Sequence, residues 1–261
     1  MTTLSEVRAQ VSPVEWQTRV DLAACYRLIA HFGMSDLIYN HVTARVPGPE
    51  GHLLINPYGY LYEEITASSL VKIDHAGNQV LNPHPAQTGY GVNQAGYVIH
   101  SAVHAARPDD HCVIHTHTRA GMAVAAMKCG LLPLSQTAMR FGTVAYHDYE
   151  SVAIDLDEQT RLQKDLGHAD VMILKNHGLL AVGRDIAQTF NTMYWLEMAC
   201  RAQVDAMAAV GHDLGALNLP NREVVEKTNH LYRPEVRRPF GVLEWPAMLR
   251  LLDRRDPSYK S

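Results

Sequence analysis

Cys112-Val113-Ile114-His115-Thr116-His117 decides how this 261-residue chain is read. It opens on an apolar run, and a short apolar run of this kind is the pattern of a buried strand. Side chains alternate across a strand, so His115 and His117, two apart, lean towards the same face. Two imidazoles on one face are a natural pair of ligands for a divalent ion. A third candidate is His177, in Lys175-Asn176-His177-Gly178. It stands between the apolar runs 171–174 and 179–182, where a strand turns at Gly178. Three neutral imidazoles leave a coordination position open for water or substrate, which is the catalytic rather than the structural arrangement. The competing reading is coincidence, because a chain with 15 histidines produces a fortuitous His-x-His easily.

Working outward, the length suits one large domain or two small ones, with enough chain to bury a substantial core. A hydrophobic content of 47% with 19% charged residues is that of an ordinary soluble globular protein. The net charge of −4 supplies no basic stripe, which argues against nucleic acid or an anionic membrane as partner. Cys25, Cys112, Cys129 and Cys200 form no Cys-x-x-Cys pair. Each is expected to be a small apolar core residue in a reducing compartment. The start, Met1-Thr2-Thr3-Leu4-Ser5-Glu6, shows no charged-then-apolar signal, and no apolar run is of membrane length. A cytoplasmic protein is the expectation.

From the N-terminus, Trp16, Val20, Ala23, Ala24 and Leu28 share one face of a helix over 13–32, with Gly33 as its stop. Residues 35–46 turn strand-like towards their end, and Pro47-Gly48-Pro49 is a turn. Strands follow at 53–55 and 70–74, with a short helix between them at 66–70. Residues 82–94 are rich in Pro, Gly, Gln and Asn, a loop long enough to suggest function. Helices are predicted at 98–106 and 119–128, a short strand at 143–145 and a helix at 157–166. The longest helix should span 185–210, with Glu197 on its apolar face and so in need of a partner. Beyond it lie a helix at 222–229, a last helix at 242–252 and a polar tail. The expected organisation is one α/β domain over 1–212 with a helical appendage and tail over 213–261.

The order of motifs carries more than any one of them. Val42-Thr43-Ala44-Arg45 is followed by Ile55-Asn56-Pro57-Tyr58-Gly59 and by Ile65-Thr66-Ala67-Ser68-Ser69-Leu70-Val71-Lys72-Ile73-Asp74. Then come His100 and His104 before Arg107-Pro108-Asp109, the His-x-His strand, and Lys175-Asn176-His177-Gly178 before the long helix. This order resembles the class II aldolase/adducin family over roughly residues 14–210. The stretches 55–74 and 92–117 look closer to its adducin-like branch than to its sugar-phosphate aldolases. The resemblance implies a single-domain α/β/α sandwich with a central, mainly antiparallel sheet. It implies that His115, His117 and His177 hold a divalent metal, with zinc first and manganese or cobalt as alternatives. It also implies ring-like homotetramers with sites between subunits.

Departures from the family pattern shape the functional expectation. The aldolases carry a Ser-Ser-Glu whose Glu is metal neighbour and general acid/base. Counted back from His115, that segment falls on Gln94-Ala95-Gly96, so Gly96 stands where the carboxylate would be. The family's Gly-Asn before the first strand is here Asn40-His41, and Tyr58 stands where the aldolases have Ser or Thr. Several phosphate-cradling hydroxyls are therefore missing. The resemblance then implies a metal-dependent carbon–carbon lyase, decarboxylase or retro-aldolase, on an unphosphorylated small hydroxy or aromatic acid. The alternative is a non-catalytic, adducin-like binding or scaffold protein. Adducins carry a long tail with a basic end beyond the head, and this chain stops soon after it.

With Gly96 in the carboxylate's place, the proton must move through another group. Candidates are a metal-bound water, His41, which replaces a substrate-contacting amide, His84 in the 82–94 loop, and Tyr259. Tyr259 resembles a C-terminal tyrosine that some family enzymes insert into a neighbouring subunit. Each of the three side chains has a plainer alternative: a histidine bonded within its own turn, a surface histidine, a frayed end. His100 and His104, four apart on a helix, have a possible ligand spacing, although one buried and one solvated histidine is the commoner outcome. Glu197 is a candidate to orient a ligand histidine, or else to pair between helices.

Overall fold

The structure, a computed structural model, describes residues 6–84, 91–150, 156–211 and 213–261. At its centre is β1 (His41–Arg45) beside β5 (Cys112–Thr116), the latter buried at every position. Around them, β2 (Leu53–Ile55), β3 (Val71–Ile73) and β4 (Gln79–Leu81) extend the sheet on one side. On the other side stand β6 (Val144–His147), β7 (Val171–Leu174) and β8 (Gly178–Gly183). The eight strands run in the order β4-β3-β2-β1-β5-β8-β7-β6. Every pairing is antiparallel except β6 with β7.

Alternation along each strand sorts the side chains onto two faces. Val42, Ala44, Cys112, Ile114, Leu179 and Ala181 belong to the larger core. That core packs under α2 (Pro13–His31), α4 (Arg119–Ala125), α7 (Ile186–Val210) and α9 (Glu244–Arg255). Val113, Met172, Leu174, Leu180 and Val182 face the opposite way, beneath α3 (Gln94–Ala106) and α6 (Leu156–Leu166). His41, Thr43 and His115 share this second face, since His41 pairs with His115 and Thr43 with Val113. The result is the layered α/β arrangement with a mainly antiparallel sheet that the sequence led us to expect.

Caps explain several boundaries. Ser12 accepts from the Glu15 backbone N–H at 3.1 Å, with Pro13 opening α2. Asp185 accepts from Gln188 N–H at 2.7 Å and starts α7, and Gly211 follows its end. The helix expected at 66–70 is instead a turn. Thr66 and Ser69 hydrogen-bond through their hydroxyls to each other's backbone N–H groups, offering the chain an alternative to helix. α3 begins at Gln94, earlier than its apolar pattern, and so includes Gly96. Of the predicted 82–94 loop, 85–90 lie outside the described residues. β4 and the one-turn α5 (Gln136–Met139) carry no periodicity and were not expected. Cys25, Cys112 and Cys200 are buried as anticipated, whereas Cys129 is exposed.

The chain beyond 212 supplies α8 (Arg222–Tyr232) and α9. Trp245 and Leu252 of α9 enter the larger core. The tail was expected to leave for a neighbouring subunit, and it does not. Its backbone folds back on residues 67–68: the Tyr259 and Ser261 carbonyls accept from Ala67 and Ser68 N–H at 2.9 Å each. Tyr259 is fully buried in its own chain, where its hydroxyl donates to Asp253 at 2.9 Å. A side chain that closes the core of its own subunit is not available to another's site. Nearby, the fully buried Arg19 donates to Glu15 at 3.0 Å and to the Leu70 carbonyl at 2.8 Å, tying α2 to the same turn.

Candidate metal centre

Near the end of β5, His115 faces α3, and the chain runs on past Thr116 to place His117 two residues later. His177 arrives from the β7–β8 turn, where Asn176 adopts φ +57 and His177 N–H returns to the Leu174 carbonyl at 3.0 Å. Gly178 permits this approach. A β-carbon there would collide with the Thr116 carbonyl oxygen and stand 3.2 Å from Cδ2 of His117. The three rings meet with centroids 4.6, 4.7 and 4.8 Å apart. Nε2 of His117 lies 2.8 Å from Nε2 of His115 and 2.9 Å from Nε2 of His177.

The other ring nitrogens show which atoms are free to bind. Nδ1 of His115 donates to the Leu179 carbonyl at 2.9 Å, and Nδ1 of His117 donates to the Asp36 carboxylate at 3.2 Å. A neutral imidazole with its proton on Nδ1 keeps a bare lone pair on Nε2. Burial holds His115 well below its ordinary pKa and His177 down to about 4, with the neighbouring imidazoles adding to both. Two bare lone pairs facing each other at 2.8 Å repel unless a cation lies between them. Nitrogens bound to zinc at 2.0–2.1 Å in a tetrahedron stand about 3.3 Å apart, so the rings need to open by only about half an ångström. The donor set fits a divalent ion, and His115, His117 and His177 also form the one group of potential metal ligands found among the described residues. His115 is buried, while His117 and His177 are partly exposed, which leaves the centre open on one side.

Asp36, the residue that orients His117, was not anticipated. It sits 81 positions away in a turn with Leu37 at φ +49 and Asn40 at φ +71, and no local pattern links it to the His-x-His strand. Tyr149, exposed, places its ring 6.2 Å from that of His177. Glu197 does not touch a ligand histidine. It accepts from the hydroxyl of Thr118, which also caps α4 by accepting from Gly121 N–H at 3.1 Å. Its other oxygen pairs with Arg201 at 2.7 Å on the same helix. Through Thr118 it anchors the residue that follows His117.

The three side chains expected as proton carriers divide. His41 is buried on β1 opposite His115, and burial lowers its pKa to about 4, with the nearby His117 imidazole adding to the effect. Neither of its ring nitrogens has a partner among the described residues. His84 is also buried, but its Nε2 donates to the Ser69 carbonyl at 2.8 Å and its Nδ1 faces the Tyr60 hydroxyl at 3.4 Å. Tyr259 is closed into the core, as described above. His100 and His104 are both buried, unlike the expected pair of one buried and one solvated. They share the Thr43 hydroxyl at 2.8 Å each. A hydroxyl has one proton to donate, so at most one of the two rings can accept from it.

Comparison with known proteins bears on the fold that carries this site. The profile described as class II aldolase and adducin N-terminal domain matches residues 20–204. A solved aldolase II superfamily protein from Pseudomonas syringae is 48% identical, with a TM-score of 0.90, covering 98% of this chain and 100% of that one. L-fuculose 1-phosphate aldolase from Glaciozyma antarctica PI12 is 25% identical with a TM-score of 0.80, covering 95% and 93%. Alpha-adducin of Mus musculus is 44% identical over 90% of this chain, which spans 33% of that longer protein.

Proposed function

We propose that this chain, which belongs to the class II aldolase and adducin family, is a divalent-metal-dependent carbon–carbon lyase. Its substrate is a small, unphosphorylated hydroxy or aromatic acid, cleaved by decarboxylation or retro-aldol chemistry. The observation that carries the reading is the convergence of three imidazole Nε2 atoms, two with Nδ1 committed to Leu179 and Asp36. A bound ion would supply a Lewis acid that stabilises negative charge left on a substrate oxygen as the carbon–carbon bond breaks. Zinc is the first choice, with manganese and cobalt accepted by the same donors.

The protein's own groups do the rest. His115 and His117 are held by their Nδ1 hydrogen bonds, so the centre is oriented before any ligand arrives. The open side, flanked by His177 and Tyr149, admits a substrate. With Gly96 at the position where the aldolase carboxylate was expected, deprotonating a sugar hydroxyl lacks its usual base, which disfavours sugar phosphates. A positioned acid or base is worth about 100- to 10,000-fold in rate. Decarboxylation needs no such base, only an electron sink and one proton for the carbon. His41 is the nearest candidate to handle a proton or a substrate oxygen.

We further take the working form to be a homo-oligomer, most simply a tetramer. Exposed Leu37 and Tyr39, in the turn that carries Asp36, support contact with another copy beside the centre. The second reading, a non-catalytic binding protein, is favoured by the 44% identity to alpha-adducin. Elemental analysis of the purified protein separates the two, followed by a screen of hydroxy and aromatic acids with metal-loaded enzyme. A stoichiometric ion with turnover removed by chelation and restored by metal supports the lyase. Efficient turnover of a ketose 1-phosphate, or a protein that binds no ion, overturns it.

A further inference from the structure

Position 96 has no side chain, yet the space beside it is full. A β-carbon built on Gly96 would lie 2.6 Å from Cγ of His41 and nearer still to Nδ1 and Cε1 of the same ring. The imidazole of His41 therefore occupies the volume that any side chain at 96 would take. His41 and His115 are register partners on β1 and β5, so their side chains leave the same face next to each other. His41 is 5% exposed, and both ring nitrogens lack a partner among the described residues. The adjoining Asn40, 1% exposed, has an amide in the same condition. Buried polar atoms in native proteins are nearly always hydrogen-bonded. Two consecutive residues with four such atoms unpartnered, next to a centre with an open side, mark where a polar ligand belongs.

We infer that His41 and Gly96 work as one specificity device: the missing side chain at 96 admits the imidazole, and the imidazole receives the acid group of an anionic, chelating substrate such as a 2-hydroxy or 2-oxo acid. The inference rests on the reading of the three histidines as a metal centre. Its chemistry follows from the group placed there. A carboxylate in that volume would repel a second carboxylate brought in beside the ion. An imidazole carries no negative charge and offers an N–H to it. The chain thus favours acids by what stands in the volume next to the ligands, without changing the ligands themselves.

Two measurements test it, one without metal. In thermal unfolding of metal-free protein, helix propensity alone predicts that Gly96→Ala in α3 is stabilising. Overlap with His41 predicts the opposite, a melting temperature lowered by about 2–8 °C. The double variant His41→Ala/Gly96→Ala should recover that loss, because the new methyl enters the vacated space. In the second, cobalt-loaded protein is titrated with glycolate, a small 2-hydroxy acid, and followed through the visible cobalt bands. His41→Ala should keep its cobalt stoichiometry and weaken glycolate about tenfold or more, with His41→Gln restoring part of the affinity. Gly96→Ala should weaken glycolate as well, and the double variant should not regain it.

A Gly96→Ala protein as stable as wild type, or His41→Ala binding glycolate normally, overturns the inference. Loss of cobalt in His41→Ala also overturns it, by assigning the ring to the ion. Wild type that binds no cobalt removes the proposed function and with it the ligand half of this inference. The metal-free unfolding series still decides the steric half.

Discussion

Asp36 offers the sharpest test of the metal centre, because it touches no proposed metal position itself. Its carboxylate accepts from Nδ1 of His117 at 3.2 Å and thereby directs Nε2 towards the other two histidines. Partners of this kind typically change metal affinity about 10- to 100-fold when removed. Asp36 has 42% of its side chain exposed and His117 23%, so water competes for the contact and the low end applies. Asp36→Ala should weaken zinc about tenfold, or about 1.4 kcal/mol. Asp36→Asn keeps an acceptor oxygen but loses the charge, so its effect should be roughly a third to a half of that energy. Affinity is measured by competition with a chromophoric chelator, beside thermal unfolding of the metal-free proteins. Melting should move little, since substitutions at partly exposed positions typically stay within about 0.5 kcal/mol. Unchanged zinc affinity in Asp36→Ala would refute the claim that this carboxylate orients a ligand. An equal loss in both variants would show that charge alone, and not the tautomer, is at work.

Four further outcomes are expected. His115→Ala and His177→Ala should each lose most of the bound ion in elemental analysis, while His111→Ala, exposed and outside the trio, keeps it. Arg19→Ala should cost about 1.5–3 kcal/mol in urea unfolding, because it frees the Leu70 carbonyl and removes one partner of Glu15, which keeps Lys72 at 3.0 Å. Tyr259→Phe should lose only about 0.5–1.5 kcal/mol, the contact with Asp253, and leave substrate KM unchanged; a raised KM would return the tyrosine to a site. Burial lowers the pKa of His100 well below its ordinary value and that of His104 to about 3, against about 6.5 unfolded. Their neutral, buried forms are therefore fully compatible with folding above pH 6.5. Stability is lost as the pH falls from there towards 3, by at most about 1.4 kcal/mol per pH unit for each, measured as urea midpoint in metal-free protein.

The His-x-His strand, the turn at Gly178 and the long helix ending near 210 were legible because their signals are local. Alternation puts His115 and His117 on one face whatever the rest of the chain does, and an apolar run next to a glycine announces a hairpin. The order of motifs supplied the sheet type and the family. The sequence also singled out position 96 as lacking its carboxylate and offered His41, His84 and Tyr259 as replacements, but it did not choose among them or connect His41 with Gly96.

What linked them is distance through space. β1 and β5 pair in a register that sets His41 against His115, and α3 lays Gly96 over the His41 ring, so two departures 55 positions apart share a single volume. No period of 2 or 3.6 residues carries that information. The same holds for Asp36, brought to His117 by a turn with two positive-φ residues, and for Thr43 shared by His100 and His104. Tyr259 shows the reverse case. A polar stretch near a terminus looks free by composition, yet backbone hydrogen bonds to Ala67 and Ser68 and a fully buried ring close it onto α2. Periodicity and turn chemistry act within a few residues and determine the elements. Which elements meet, and which side chains then compete for the same few ångströms, is decided only when the sheet and its helices close on one another.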